Sequence, residues 1–232
     1  MPKALVENKE QITPKETYYL LVVDASSSMN HLTNSTINGV NEQIDTIKQL
    51  EKEFPDQKYY MSFIHFNDKV TIEYTNRPAS SLEKITDKNY KTSGMTALLD
   101  AIGVGVNGLN DKIKNKIESG EATAVVVIIT DGEENTSREY DIKKIKSIVK
   151  ELTSTNKWTF TFVGANIDSI STASSYGIDT KNVMSFSSDD LSNSKVYISM
   201  SKSFKTRAAS ISTNDYAPDT FVSDEDKDLT TK

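Results

Sequence analysis

Cysteine is absent from all 232 residues. That excludes disulfide staples, thiolate metal ligands and cysteine nucleophiles, and it fits a reducing compartment. Histidine occurs only as His31 and His65, which have no local ligand spacing; His65 reads as a strand residue and His31 as a surface residue. Long apolar runs are missing as well. The longest, Ala124 to Ile129, falls far short of the roughly 20 residues that a membrane-spanning helix needs. Met1 to Asn8 carries no apolar stretch of the kind a secretory leader requires, so a soluble, cytoplasmic protein is the expectation. Positive charge is in deficit: 33 acidic against 27 basic residues give a net charge of −6, which argues against a nucleic-acid backbone as partner. Neither a Gly-Lys-Ser/Thr phosphate loop nor a Gly-x-Ser-x-Gly nucleophile elbow is present. Gly103, Gly105 and Gly108 spell Gly-x-Gly-x-x-Gly, but inside a helical apolar pattern with no strand before it. Close helix packing explains them better than a dinucleotide.

What remains is an alternation of strands and helices. Leu20–Val23 and Ala124–Ile129 are unbroken apolar runs, which as strands need cover on both faces. Ile37, Val40, Ile44, Ile47, Leu50 and Phe54 recur by threes and fours, as do Leu98, Ile102, Val106, Leu109, Ile113 and Ile117. Both patterns predict amphipathic helices. Tyr59–Phe66 and Lys69–Tyr74, parted only by Asn67-Asp68, predict a hairpin and hence an antiparallel edge. Thr136-Ser137-Arg138-Glu139 has capping-box spacing before the helical pattern Ile142, Ile145, Val149, Leu152. Trp158–Val163, a short helix to Tyr176, a strand over Asn182–Phe186 and a polar helix over Asp189–Ala209 follow. These elements predict a doubly wound α/β fold, a mostly parallel sheet of about six strands in the order 3-2-1-4-5-6 with helices on both faces. Its ligands belong outside the carboxyl ends of the strands. Residues 1–14 read as an extension, 15–210 as the folded domain and 211–232 as an acidic, mobile tail.

Both apolar strands run into an aspartate. After the first comes Asp24-Ala25-Ser26-Ser27-Ser28, in which extended-chain alternation turns Asp24, Ser26 and Ser28 to one side. The second ends Thr130-Asp131-Gly132, and Ser93-Gly94-Met95-Thr96 leads into the second long helix. A lone acid-and-hydroxyl cluster is also what an ST-turn and helix N-cap look like. Here three segments offer five oxygens, from Asp24, Ser26, Ser28, Thr96 and Asp131. Neighbouring central strands would bring them over one crevice. Two carboxylates with neutral hydroxyls suit a small hard cation, magnesium above all. Glu133 and Glu134 read as a solvated acidic loop.

In these three motifs the chain resembles the von Willebrand factor A domains that carry a metal-ion-dependent adhesion site, over roughly residues 15–210. The flavour is that of the small soluble bacterial and phage members, the tellurite-resistance-associated type included. The resemblance implies Ser26, Ser28 and Thr96 as hydroxyl ligands and Asp24 and Asp131 as direct or water-mediated ligands of Mg2+, or Mn2+ in its place. It further implies a non-enzymatic module that captures an Asp or Glu of a protein partner, and a last helix that shifts with metal coordination; charge and the short apolar runs add the expectation of no nucleic acid and no membrane. Met95 departs from the family's usual Gly-Gly-Thr and adds bulk beside Thr96. Two other readings compete: a structural or assembly protein, for example of a phage particle, and a phosphatase of the haloacid-dehalogenase kind. The phosphatase would need a second carboxylate where Ser26 stands.

Overall fold

Only a strand covered on both faces can bury every side chain, and the two unbroken apolar runs become the adjacent central strands. β1 (Glu16–Asp24) and β4 (Ala122–Thr130) pair in parallel, Val22 opposite Ile128 and Val23 opposite Ile129. The computed structural model describes residues 13–165, 168–217 and 220–229. β2 (Lys58–Phe66), β3 (Val70–Pro78), β5 (Trp158–Ala165), β6 (Val183–Phe186) and β7 (Asp228–Leu229) complete a seven-stranded sheet, ordered β3-β2-β1-β4-β5-β6-β7. β3 runs antiparallel to β2, and every other pairing is parallel. The expected order holds, with a seventh strand added at the far edge.

Alternation along β1 divides the core into two layers. Tyr19, Leu21 and Val23 pack with Val40, Ile44 and Ile47 of α1 (Thr33–Glu53) and Val196, Met200 and Phe204 of α5 (Asp190–Ser212). Tyr18, Leu20 and Val22 pack with Ile102 and Val106 of α2 (Leu98–Glu118), Ile145 and Val149 of α3 (Ile142–Thr153), and Ala173 of α4 (Ser169–Ser175). The glycines of α2 are there for proximity. A Cβ at Gly103 would lie 2.4 Å from the Tyr140 ring, and one at Gly105 2.9 Å from Ile64 Cδ1. Gly108 meets nothing within 4 Å, so it does not belong to the packing motif. His65 lies in β2 as expected, with Nε2 3.1 Å from Glu73 Oε1.

Two expectations need correction. Thr136–Glu139 does not open α3. Asp141 is its N-cap, accepting from the Lys144 amide at 2.8 Å. The amides of Thr136 and Ser137 are instead taken by Glu134, and those of Arg138, Glu139 and Tyr140 by Asp100 of α2, so the segment is a loop clamped by two carboxylates. Residues 211–232 are not simply a solvated tail. Ser223, Asp224 and Glu225 are exposed, as composition suggests. Phe221 and Val222 before them are buried, Phe221 against Phe204 with ring centroids 5.7 Å apart, and the Phe221 amide donates to Asn182 Oδ1 at 2.8 Å. β7 then pairs with β6 over Ser185↔Asp228 and Phe186↔Leu229. Most of the expected extension, residues 1–12, lies outside the described residues, as do 166–167, 218–219 and 230–232. Among the described residues no helix is long and apolar enough to cross a membrane.

Candidate metal centre

β1 delivers Asp24 to the carboxyl end of the sheet with no exposed surface at all. Its Oδ1 accepts from the Ser26 amide at 2.7 Å and its Oδ2 from Thr130 Oγ1, at the end of neighbouring β4, at 2.6 Å. Burial pushes the Asp24 carboxyl up to about 6; the hydrogen bonds from Thr130 and Ser26 oppose this, and the charge of Asp131 adds to it. Neither Asp24 nor Asp131 has an ion-pair partner among the described residues.

The serines meet by a different route from strand alternation. Ser26 is extended (φ −69°, ψ 170°), but Ser27–Leu32 form a 3-10 turn. Ser26 stands at the N-cap of that turn and makes no side-chain capping bond. Its hydroxyl instead lies 3.0 Å from Ser28 Oγ, which donates to Asp131 Oδ1 at 2.5 Å. A plain N-cap would have turned the hydroxyl to the backbone.

Thr96 comes in from a loop laced to both other segments. The Ser27 amide donates to Gly94 O at 3.2 Å, Ser93 N to Ala25 O at 2.8 Å, and Asn135 N to Thr96 O at 3.1 Å. Gly94 has φ +74°, a conformation that favours glycine, and a Cβ there would also make the exposed Asp68 carboxylate, 2.2 Å away, turn aside. Met95, expected to crowd the site, is 51% exposed and turns outward. Thr96 is buried, and a Cβ at Gly132 would find Ser28 Oγ at 3.4 Å and Thr96 Oγ1 at 3.7 Å. Short contacts thus link Asp24 to the Ser26 amide, Ser26 to Ser28 and Ser28 to Asp131, and Ser28 and Thr96 both lie beside Gly132.

Several supporting groups carried no signal that the motifs expose. Tyr90 OH donates to the Asp24 carbonyl, and Thr130 Oγ1 bridges Asp24 and the Gly132 backbone. Glu134 is not a freely solvated charge: Oε2 accepts from Leu99 N in the first turn of α2 at 2.9 Å, and Oε1 from Thr136 N and Ser137 N. Glu133 is exposed, as expected. His31, on the surface, brings Nε2 to 3.0 Å from Ser188 Oγ, and that hydroxyl reaches Asp131 Oδ2 at 3.5 Å.

Residues 20–206 match the family model of the von Willebrand factor type A domain. The chain belongs to that family. The domain's fold is shared with solved relatives of low identity. Proximal thread matrix protein 1 from the mussel byssus aligns at 18% identity and TM-score 0.54, covering 82% of this chain and 46% of that one. This chain thus spans about half the length of that relative. A von Willebrand factor type A protein from Catenulispora acidiphila aligns at 12% identity and TM-score 0.51, over 80% of this chain and 42% of the other. Manganese-loaded TRAP protein of Plasmodium vivax aligns at 15% identity and TM-score 0.52, over 76% and 70%. The mussel protein has also been solved with its metal-ion-dependent adhesion motif occupied by zinc. No curated protein matches the sequence.

The domain's donor set fits a divalent cation on its own chemistry. Among the described residues no three His, Cys, Asp or Glu side chains gather as a metal cluster, so an ion here relies on hydroxyls as well as acids. Hydroxyl and carboxylate oxygens are the ligands that hard cations take. A buried carboxylate beside a second one, with no basic side chain to offset either, is the charge such an ion would neutralise.

Proposed function

We propose that this domain is a metal-ion-dependent interaction module that captures an aspartate or glutamate of a partner protein through a divalent cation, magnesium or manganese. The observation that supports the reading is the closeness of Asp24, Ser26, Ser28, Thr96 and Asp131 at the carboxyl end of the sheet. Ser26, Ser28 and Thr96 would hold the ion through neutral oxygens, and Asp24 and Asp131 would balance its charge directly or through water. With only two anions for a divalent charge, the ion stays electrophilic and accepts a carboxylate from outside. Binding is favoured over turnover because Ser26 occupies the place a phosphatase would fill with its second carboxylate, and its amide and hydroxyl are engaged by Asp24 and Ser28.

Titration of the metal-free domain with magnesium or manganese, followed by an acidic partner or peptide, tests this. Cation-dependent binding lost in EDTA and in the Ser26→Ala/Ser28→Ala double variant is the expected result. Binding that survives EDTA refutes it. A large thermal shift with metal and no capture of any carboxylate would instead mark the ion as a stabiliser in a structural protein.

A further inference from the structure

Arg207 of α5 is the only buried basic side chain among the described residues, 4% exposed. It meets the sheet near the start of β4, at the end away from the candidate metal centre. Its Nη2 donates to Thr123 Oγ1 at 2.9 Å and to the Tyr216 hydroxyl at 2.6 Å. Those acceptors are then used up: Thr123 Oγ1 gives its own proton to Lys157 O at 2.8 Å, so the Tyr216 hydroxyl, 2.7 Å away, donates to Thr123. Nε and Nη1 of Arg207 are buried with no hydrogen-bond partner. Nε carries one N–H and Nη1 two, so three of the five donors of a group that cannot shed its charge are unmet. No carboxylate pairs with Arg207 among the described residues. The Tyr216 ring, its centroid 4.9 Å from Cζ, offsets only part of that charge.

The Tyr19 hydroxyl is likewise buried without a partner. Three observations set it beside the guanidinium. Strand register puts Thr17 opposite Thr123 and Tyr19 opposite Val125, so Tyr19 is the diagonal neighbour of Thr123 on one face of the sheet. Its ring stacks on Phe204 with centroids 4.1 Å apart, and Phe204 precedes Arg207 by one turn of α5. Burial pushes the Tyr19 hydroxyl up, and the Arg207 charge opposes that push.

We propose that Arg207 and Tyr19 hold a small monovalent anion, a halide such as chloride, between α5 and the sheet. Every unmet group named here can donate a proton, and the charge left over is positive. Water would occupy the donors and leave the buried charge standing, whereas an anion answers both. One buried base calls for one negative charge, which favours a halide over sulfate or phosphate. The site is independent of the metal centre and of what that centre captures.

Thermal melts of the full chain in EDTA test this, with gluconate exchanged for chloride or bromide at constant ionic strength. Melting should rise and saturate, by roughly 5–10 °C at about 100 times the dissociation constant. EDTA keeps a halide bound to a metal ion from imitating the effect. Arg207→Met, which keeps the stem and removes the charge, should lose the dependence. Tyr19→Phe, which leaves Arg207 in place and removes one donor, should weaken the apparent halide affinity roughly tenfold, the worth of one hydrogen bond to a charged group. Crystals grown in bromide should show anomalous density in contact with Arg207 Nε or Nη1. Melting indifferent to halide overturns the proposal. So does a dependence that Arg207→Met or Tyr19→Phe leaves unchanged, or bromide density confined to the surface.

Discussion

Replacing Asp24 by asparagine should make the metal-free domain more stable at neutral pH, although it removes a charged group from the centre of the site. In the folded chain burial raises this carboxyl from 3.8 to about 6. The folded state therefore binds a proton more tightly than the unfolded chain does. Between about pH 4 and 6 it holds more protons, so stability falls as pH rises through that window, and the full cost is present above it. A displacement of about two pH units corresponds to ~3 kcal/mol. Asparagine fits the same hydrogen bonds. The Ser26 amide still donates to Oδ1, and the new Nδ2 donates to Thr130 Oγ1. The Thr130 proton then turns to the Gly132 carbonyl 3.1 Å away, while Gly132 N continues to donate to Oγ1 at 3.2 Å. No buried polar group is orphaned. Thermal melts in EDTA across pH 4.5–8 should show Asp24→Asn melting up to roughly 6–12 °C above the parent at pH 8, at about 2–4 °C per kcal/mol for a domain of this size. The two should converge at the acid end. Magnesium should raise the parent and leave the variant unmoved, since a ligand stabilises only the state that binds it. A metal-free Asp24→Asn domain that melts at or below the parent at pH 8 would refute the reasoning, because the carboxylate would then be contributing to stability without an ion.

Gly39→Ala places a Cβ 2.0 Å from the fully buried Tyr197 ring at the α1–α5 contact, and denaturant titration should show a loss of at least ~2 kcal/mol; a change below ~0.5 kcal/mol would mean α5 yields freely. Phe221→Ala should cost ~3 kcal/mol, as for a buried core aromatic, and a loss under ~1 kcal/mol would show that the segment after α5 does not hold the core. Burial acts to raise the Glu16 carboxyl, but hydrogen bonds from Lys116 and Tyr18 outweigh it and leave the group below its usual range. A depressed carboxyl contributes stability above its unfolded pKa, lost as pH falls through its folded one. Lys116→Met should therefore cost about 1 kcal/mol at pH 7, discounted for the half-open lysine, and less at an acid pH low enough to protonate Glu16 in the folded chain. An equal deficit at both pH values would contradict this.

The sequence made legible what depends on long repeats of burial. Leu20–Val23 and Ala124–Ile129 named the central strands, the threefold and fourfold spacings named α1 and α2, and their succession gave the strand order through β6. The candidate site could be picked out because its groups sit next to those strong signals: Asp24 and Asp131 close after the two apolar runs, Thr96 just before α2. Interactions that recur at no period stayed hidden. Phe221-Val222 is a pair too short to show a pattern, and its burial depends on Phe204, which lies on the distant helix α5. Thr136–Glu139 kept the spacing of a capping box, yet Glu134 and Asp100 bind its amides first, and Asp100 lies more than thirty residues earlier in the chain. Tyr90 and Ser188 reach the site only because the folded chain carries them there.

The docking of Phe221 and Val222 bears on where this chain can be trimmed. A cut after α5, which composition alone would recommend, uncovers the Phe204 ring and strips β6 of its outer neighbour. The shortened product would present a greasy hollow alongside a raw sheet margin, the pairing that invites clumping. Anyone preparing the folded unit by itself should keep the chain through Leu229.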